Sequence, residues 1–320
     1  MVHTSAIDID HVVFRYGDRV AVNDLCLRMP PGIIFALLGP NGGGKTTLFR
    51  LLSTLIPLQS GNISILGLNI TENANAVRHA IGVVFQAPSL DKKLTVHENL
   101  RHQSRLYGLR PPIARQRENE MLHRLGIEDR VGHLVETLSG GLRRRVELAK
   151  GLLHNPRVLL LDEPSTGLDP GARSDLWDYL GQLRDEDGVT IMLTTHLLEE
   201  AERADRIGIL HAANLVAEGT PHDLRATVGG NSITIETEDP DELASLITDR
   251  FDLQSRVLGT TVRLEQPDGH RWITQLVEAF PGKIQAVTLG KPTLEDVFID
   301  RTGHRFWSDG EEDVQGREHD

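Results

Sequence analysis

The run Gly39-Pro40-Asn41-Gly42-Gly43-Gly44-Lys45-Thr46-Thr47 constrains this chain more than any other stretch. It fits G-x-x-x-x-G-K-[ST], with Gly39, Gly44, Lys45 and Thr46 at the fixed places. The apolar Ile33-Ile34-Phe35-Ala36-Leu37-Leu38 precedes it and the helix-like Leu48-Phe49-Arg50-Leu51-Leu52 follows. Strand, loop, helix is the context in which the pattern carries physical meaning rather than marking a glycine-rich turn. Its glycines let backbone N–H groups wrap a phosphate, and the helix start adds the positive end of a dipole. Lys45 reaches the terminal phosphates, and the Thr46 hydroxyl can ligate Mg²⁺.

Ahead of this loop, residues from about 6 to 29 alternate apolar and polar around a Tyr16-Gly17-Asp18-Arg19 turn, which predicts a small antiparallel sheet. Tyr16 can stack on a base or simply cap a strand end with its hydroxyl in water. Cys26, between Leu25 and Leu27, reads as a small buried filler. The loop helix is expected to end near Pro57, and Ser60–Gly67 to form a further short strand. Ile81–Phe85 has the composition of a buried parallel strand delivering Gln86 at its C-terminal end, the edge of an open α/β sheet where ligands sit; Gln86 can also be an ordinary turn residue.

Thr95-Val96-His97-Glu98 has capping-box form, followed by helices up to Leu109 and over Ile113–Leu125, so a helical insertion is expected on the sheet core. Next, Ser139 and the pair Gly140-Gly141 open a helix with Leu142, Val146, Ala149, Leu152 and Leu153 at helical spacing. This helix start is either a second phosphate-binding end or an ordinary cap. Arg143-Arg144-Arg145 reads as a solvated face, with a partner or lipid contact as the alternative. Val158–Leu161 is a fully apolar strand running into Asp162-Glu163. Side chains alternate along a strand, so the two acids point apart; one can serve a Mg²⁺ shell and the other can orient and deprotonate a water. A parallel strand over Val189–Thr194 then brings His196 to the same edge, where a γ-phosphate contact is expected.

Composition narrows the partners. At 320 residues the chain holds one large domain with an appendage, or two domains. A net charge of −12 argues against a nucleic-acid partner, which would need a basic surface. No apolar run approaches the ~20 residues of a bilayer span, and Met1–Ser5 lacks the features of a signal peptide, so the chain is expected to stay in the cytosol. One cysteine excludes an intrachain disulfide.

With Gly39–Thr46, Gln86, Ser139–Gly141, Asp162-Glu163, Asp169 and His196 in this order, the chain resembles the ATP-binding cassette (ABC) ATPases over roughly residues 6–220. The resemblance implies an α/β phosphate-loop ABC ATPase core: a mixed sheet with an antiparallel β subdomain and a helical subdomain over about 92–150. It implies ATP as substrate, with Tyr16 on adenine and with Lys45 and the loop from Gly39 to Thr47 on the phosphates. Thr46, Gln86 and Asp162 would serve Mg²⁺, Glu163 would polarise the attacking water, and His196 would sense the γ-phosphate. It also implies a head-to-tail dimer, homo- or heterodimeric, in which Ser139, Gly140 and Gly141 complete the opposite subunit's site and Asp169 lies at the seam. The widespread form of the signature has Gln where Leu142 stands, which puts any contact by that side chain in doubt. The Leu142-Arg143-Arg144-Arg145 form resembles the branch exporting drugs, antibiotics or polysaccharides, where the ATPase pairs with a separate membrane permease on the cytoplasmic face.

Beyond about residue 220 alternating strand and helix patterns predict a small α+β C-terminal domain over 221–307. It has strands at Ser232–Glu238, Thr261–Glu265 and Lys283–Leu289, helices at Asp241–Ile247 and Trp272–Phe280, and a last helix capped by Thr293 and Asp296. This region, with Pro292-Thr293-Leu294-Glu295-Asp296-Val297-Phe298, resembles the C-terminal part of daunorubicin-type exporter ATPases. Ser308–Asp320 is acidic and polar, and disorder is expected there. An importer ATPase is the nearest competing function. A soluble ABC ATPase acting on nucleic acid or ribosomes would carry a long coiled coil or two cassettes, and a phosphate-loop GTPase an Asn-Lys-x-Asp motif; this chain has none of them.

Overall fold

The computed structural model describes residues 5–228, 230–266, 268–304 and 306, so the acidic stretch 308–320 lies outside the described residues. Contacts divide the chain into two compact units, one through Leu215 and one from Val216.

In the first unit, β1 (Ile7–Tyr16) and β2 (Arg19–Met29) pair antiparallel around the Gly17-Asp18 turn. The alternation that buries Leu25 and Leu27 turns Cys26 to the other face, so Cys26 is exposed and the buried-filler reading is corrected. Strand β3 (Ile34–Leu38), buried throughout, leads through the glycine loop into α1 (Lys45–Leu52). This helix stops well short of Pro57: Thr54 takes a left-handed φ of 57°, and the Leu55 and Ile56 amides close back on the Arg50 carbonyl. Strands β4 (Ser60–Ile65) and β5 (Leu68–Asn69) complete the antiparallel sheet in the order β2-β1-β4-β5. Helix α2 (Ala74–Ala80) runs into β6 (Ile81–Val84).

The helical insertion follows as α3 (Val96–Leu106), opened by the Thr95/Glu98 capping box, and α4 (Pro111–Arg124). The latter starts two residues before the expected Ile113, because proline is accepted in a helix's first turn, where no intrahelical amide bond is lost. Then come α5 (Gly140–Leu152), β7 (Val158–Asp162), α6 (Pro170–Asp187), β8 (Thr190–Thr195), the single turn α7 (Leu198–Ala201), β9 (Arg206–His211) and β10 (Asn214–Gly219).

The main sheet has the order β10-β9-β3-β8-β7-β6. Strand β3 pairs in parallel with β8 and β9, β8 with β7, and β7 with β6. Apolar residues from both sheets and from α1, among them Ile9, Leu27, Phe35, Leu48, Ile63 and Leu160, share one core. Register decides what meets at the C-terminal edge. Leu38 lies opposite Thr195, Thr194 opposite Asp162, and Leu161 opposite Val84. The glycine loop, His196, the acidic pair and Gln86 therefore all leave the sheet at one level.

The first helix of the second unit is α8 (Pro221–Val228), which the sequence reading missed although Thr220 accepts the Asp223 amide as its cap. Its sheet comprises β11 (Asn231–Glu236), β12 (Ser255–Leu258), β13 (Thr261–Gln266) and β14 (Ala286–Gly290), separated by α9 (Pro240–Phe251) and α10 (Gly269–Ala279). All described pairings are antiparallel, in the order β12-β13-β11-β14, so β-α-β-β-α-β connectivity gives a ferredoxin-like split βαβ. Strand β12 was invisible in sequence: it has four residues, and the adjacent Arg256 and Val257 are both exposed, so no alternation marks it. Ile233, Ile235, Val262 and Leu264 form the apolar face under Leu243, Ile247 and Leu276. Helix α11 (Leu294–Thr302) carries the expected Thr293/Asp296 capping box, and its buried Asp296 pairs with Arg263 of β13. Among the described residues no helix is long and apolar enough to cross a membrane.

Candidate active site

The glycine loop forms a cradle that side chains would fill. A Cβ on Gly39 would stand 2.4 Å from the Leu210 carbonyl oxygen, and one on Gly44 would stand 2.4 Å from that of Ala21. Gly44 also has φ 106°, so an L side chain there is doubly opposed. The buried Lys45 side chain donates from Nζ to the Gly39 and Pro40 carbonyls at 2.6 and 2.9 Å, and Nζ stands 3.9 Å from Glu163 Oε1. Burial pulls its pKa down, and the charges of Glu163 and Asp162 pull it back up. A cavity of about 380 Å³ joins the loop residues Asn41, Gly42 and Gly44–Thr47 to Tyr16, Gln86 and Glu163. Tyr16 lines it while 46% exposed, its ring edge-to-face with Phe14 at 5.0 Å between centroids.

The two acids separate as strand alternation requires. Asp162 accepts the Thr194 hydroxyl at 2.6 Å, and the same hydroxyl accepts the Glu163 amide at 2.9 Å. Burial raises the Asp162 pKa, partly opposed by that hydrogen bond. Glu163 turns the other way. Its Oε2 accepts from Gln86 Nε2 at 3.0 Å and from the Thr166 hydroxyl at 3.2 Å, and His196 Nδ1 stands 3.2 Å away. The Glu163 backbone is left-handed, φ 44°, a conformation that costs a non-glycine residue and persists where its surroundings over-determine it. Sequence reasoning gave neither Thr194 nor Thr166 a role at the site. A Thr in a strand reads as an ordinary β-former, and only the register between β8 and β7 puts one beside Asp162.

The oxygens of Thr46, Gln86 and Asp162 are the hard donors that Mg²⁺ takes. A cation there would offset the desolvation of the Asp162 carboxylate, so the residues present fit the ion.

The start of α5 is a different kind of end. Ser139 accepts the Leu142 amide at 3.3 Å as an N-cap, Ser139 and Gly140 are exposed, and neither Ser139, Gly140 nor Gly141 lines the glycine-loop cavity. Asp169 likewise lies outside it, as the exposed N-cap of α6 accepting from Ala172 at 2.9 Å. The solvated-face reading is corrected for Arg144 and Arg145. Arg144 is 9% exposed, because its position on α5 faces the ends of β6 and β7, and Arg145 bonds to the Leu125 carbonyl and Asp175.

Residues 22–166 match the family model "ABC transporter", and residues 219–302 match "ATP-binding protein DrrA1-3-like, C-terminal domain". The chain is 38% identical to the daunorubicin resistance ATP-binding protein DrrA3 of Streptomyces coeruleorubidus, with 93% of this chain and 96% of that protein covered. It is also 38% identical to the Nod factor export ATP-binding protein I of Rhizobium etli, with 94% and 95% covered. Among solved structures, an ATP-binding subunit of an ABC transporter superposes with TM-score 0.64 at 28% identity, over 70% of this chain and 93% of that one. A dimeric ATP-binding cassette in a post-hydrolysis state bound to ADP and Pi superposes with TM-score 0.61 at 26% identity, over 67% and 98%.

Proposed function

The chain belongs to the ATP-binding proteins of ABC transporters, and from that premise we propose that it is the ATP-hydrolysing subunit of an exporter. The observation that carries the catalytic reading is the set of groups around one carboxylate: Lys45, Gln86, Thr166 and His196 all lie within 3.9 Å of Glu163, beside the phosphate cradle.

In this reading Tyr16 stacks on the adenine, while the loop amides and Lys45 hold the β- and γ-phosphates. Thr46, Gln86 and Asp162 would hold Mg²⁺, which when bound neutralises charge on the phosphates. Glu163 orients a water in line with the γ-phosphorus and takes its proton, and His196, beside that carboxylate, contacts the γ-phosphate. The exposed Ser139–Gly141 helix start of a second cassette would close the site, with Asp169 at the seam. Its absence from the lining of the chain's own cavity supports this division of labour, as does the dimeric cassette to which the chain is similar. Hydrolysis would then reopen the pair and drive a separate membrane permease from the cytoplasmic face. Export of a drug, antibiotic, lipid or polysaccharide-like cargo is supported by the names of the relatives, which concern daunorubicin resistance and Nod factor export. The ferredoxin-like unit would support or regulate the dimer.

Glu163→Gln keeps the shape and removes the base, so ATP turnover is expected to fall ~10²–10⁴-fold. In Mg-ATP the same variant is expected to sediment as a dimer. Wild-type turnover would overturn the role of Glu163, and a persistent monomer would overturn the shared site.

A further inference from the structure

We propose that Arg144 is a positioning residue for hydrolysis: a buried guanidinium on α5 that fixes the backbone on both sides of Glu163 together with the strand end carrying Gln86. The proposal rests on the reading of Glu163 as the general base.

A guanidinium has five N–H donors in a rigid plane, and here each has an acceptor. Nε donates to the Pro164 carbonyl at 2.6 Å. Nη1 donates to the Phe85 carbonyl at 2.9 Å and to Glu147 Oε2 at 2.8 Å. Nη2 reaches the Asp162 and Glu163 carbonyls at 3.4 and 3.3 Å. Four of the five acceptors are thus backbone carbonyls, and all four lie at or next to a site residue: three run consecutively through Glu163, and one directly precedes Gln86. A cross-link that served packing alone would have no reason to be confined to these carbonyls.

The clamp continues along one face of α5, since residues three apart are neighbours on a helix. Glu147, 5% exposed, accepts the Ser89 amide at 2.6 Å, and Lys150 donates to the Ser89 carbonyl at 2.7 Å. The segment carrying Gln86 is therefore held at both ends by α5. Glu163 needs such support, because its left-handed φ of 44° is not one its own chain prefers. Its N–H is held by Thr194 and its carbonyl by Arg144 and the Thr166 amide, so the peptide planes on both sides of its Cα are pinned. Relaxation toward ordinary φ would swing the carboxylate away from Lys45, Gln86 and His196. Burial lowers the Arg144 pKa, and the hydrogen bond and charge of Glu147 oppose that.

The test uses the full chain with Arg144→Lys, Arg144→Met and Glu163→Gln, singly and combined. Steady-state ATPase, affinity for a fluorescent ATP analogue and thermal unfolding are measured. Both Arg144 variants are expected to lose about 10- to 100-fold in kcat, the scale of a misplaced catalytic group, with KM and analogue affinity within about twofold. Lysine should fail nearly as badly as methionine, because a point charge with three donors cannot span the fork. In the Glu163→Gln background the Arg144 substitutions should cost nothing further, as they act through that carboxylate. Wild-type kcat in Arg144→Lys, or a full additive loss on top of Glu163→Gln, would overturn the proposal, as would a kcat loss accompanied by an equal loss of analogue affinity. Should Arg144→Met not fold, Arg144→Lys and Glu147→Gln are judged by the same criteria. Wild-type turnover in Glu163→Gln alone would instead refute the catalytic reading, so the two failures are distinct.

Discussion

Thr194→Val swaps a hydroxyl for a methyl at nearly constant volume, at a residue 1% exposed on β8. The hydroxyl makes two bonds, donating to Asp162 Oδ1 at 2.6 Å and accepting the Glu163 amide at 2.9 Å. The first goes to an ionisable carboxylate and is worth about 1.5–3 kcal/mol; the second, once lost, leaves a buried N–H unpaired at about 1–3 kcal/mol. Together these predict a loss of about 2.5–6 kcal/mol, against about 1 kcal/mol for Thr194→Ser, which keeps the hydroxyl and drops one methyl. Urea unfolding followed by circular dichroism measures both, with the m-value expected unchanged because the surface exposed on unfolding is the same. Turnover in the valine variant should also fall, since the Glu163 backbone is then pinned from one side only. A valine variant within about 0.5 kcal/mol of wild type, or no less stable than the serine variant, would refute the reasoning.

Gly44→Ala should weaken binding of a fluorescent ATP analogue by at least about 10-fold, because φ 106° and the Ala21 carbonyl 2.4 Å from the new Cβ forbid the native loop; unchanged affinity would contradict the cradle. His154 stacks on Tyr107 at 3.7 Å between ring centroids, and burial pushes its pKa below 6.5. The unfolded chain therefore binds more protons just below that value, and stability falls as pH drops through 6.5 toward the lowered native pKa. His154→Phe keeps the stack and cannot titrate, so unfolding midpoints measured between about pH 7.5 and 5 should fall less steeply than in wild type; an equal slope would remove His154 from the account.

Much of the site was legible because its chemistry depends on local patterns. The glycine loop needs particular residues at fixed spacing, the acids follow directly on an apolar strand, and Ser139 and Thr293 cap the helices that begin just after them. Such features obey steric and hydrogen-bonding rules that act within a few residues. What tertiary structure alone decided depends on neighbours distant in sequence. The facing of Cys26 follows from which side of its sheet is covered, and the burial of Arg144 from α5 lying across the ends of β6 and β7. The pairing of Thr194 with Asp162 is set by register between β8 and β7, and the left-handed Glu163 by carbonyl and amide partners on two other elements. A residue type states which bonds a side chain can make; only the packed sheet determines which partners are within reach and shielded from water, and so which of those bonds form.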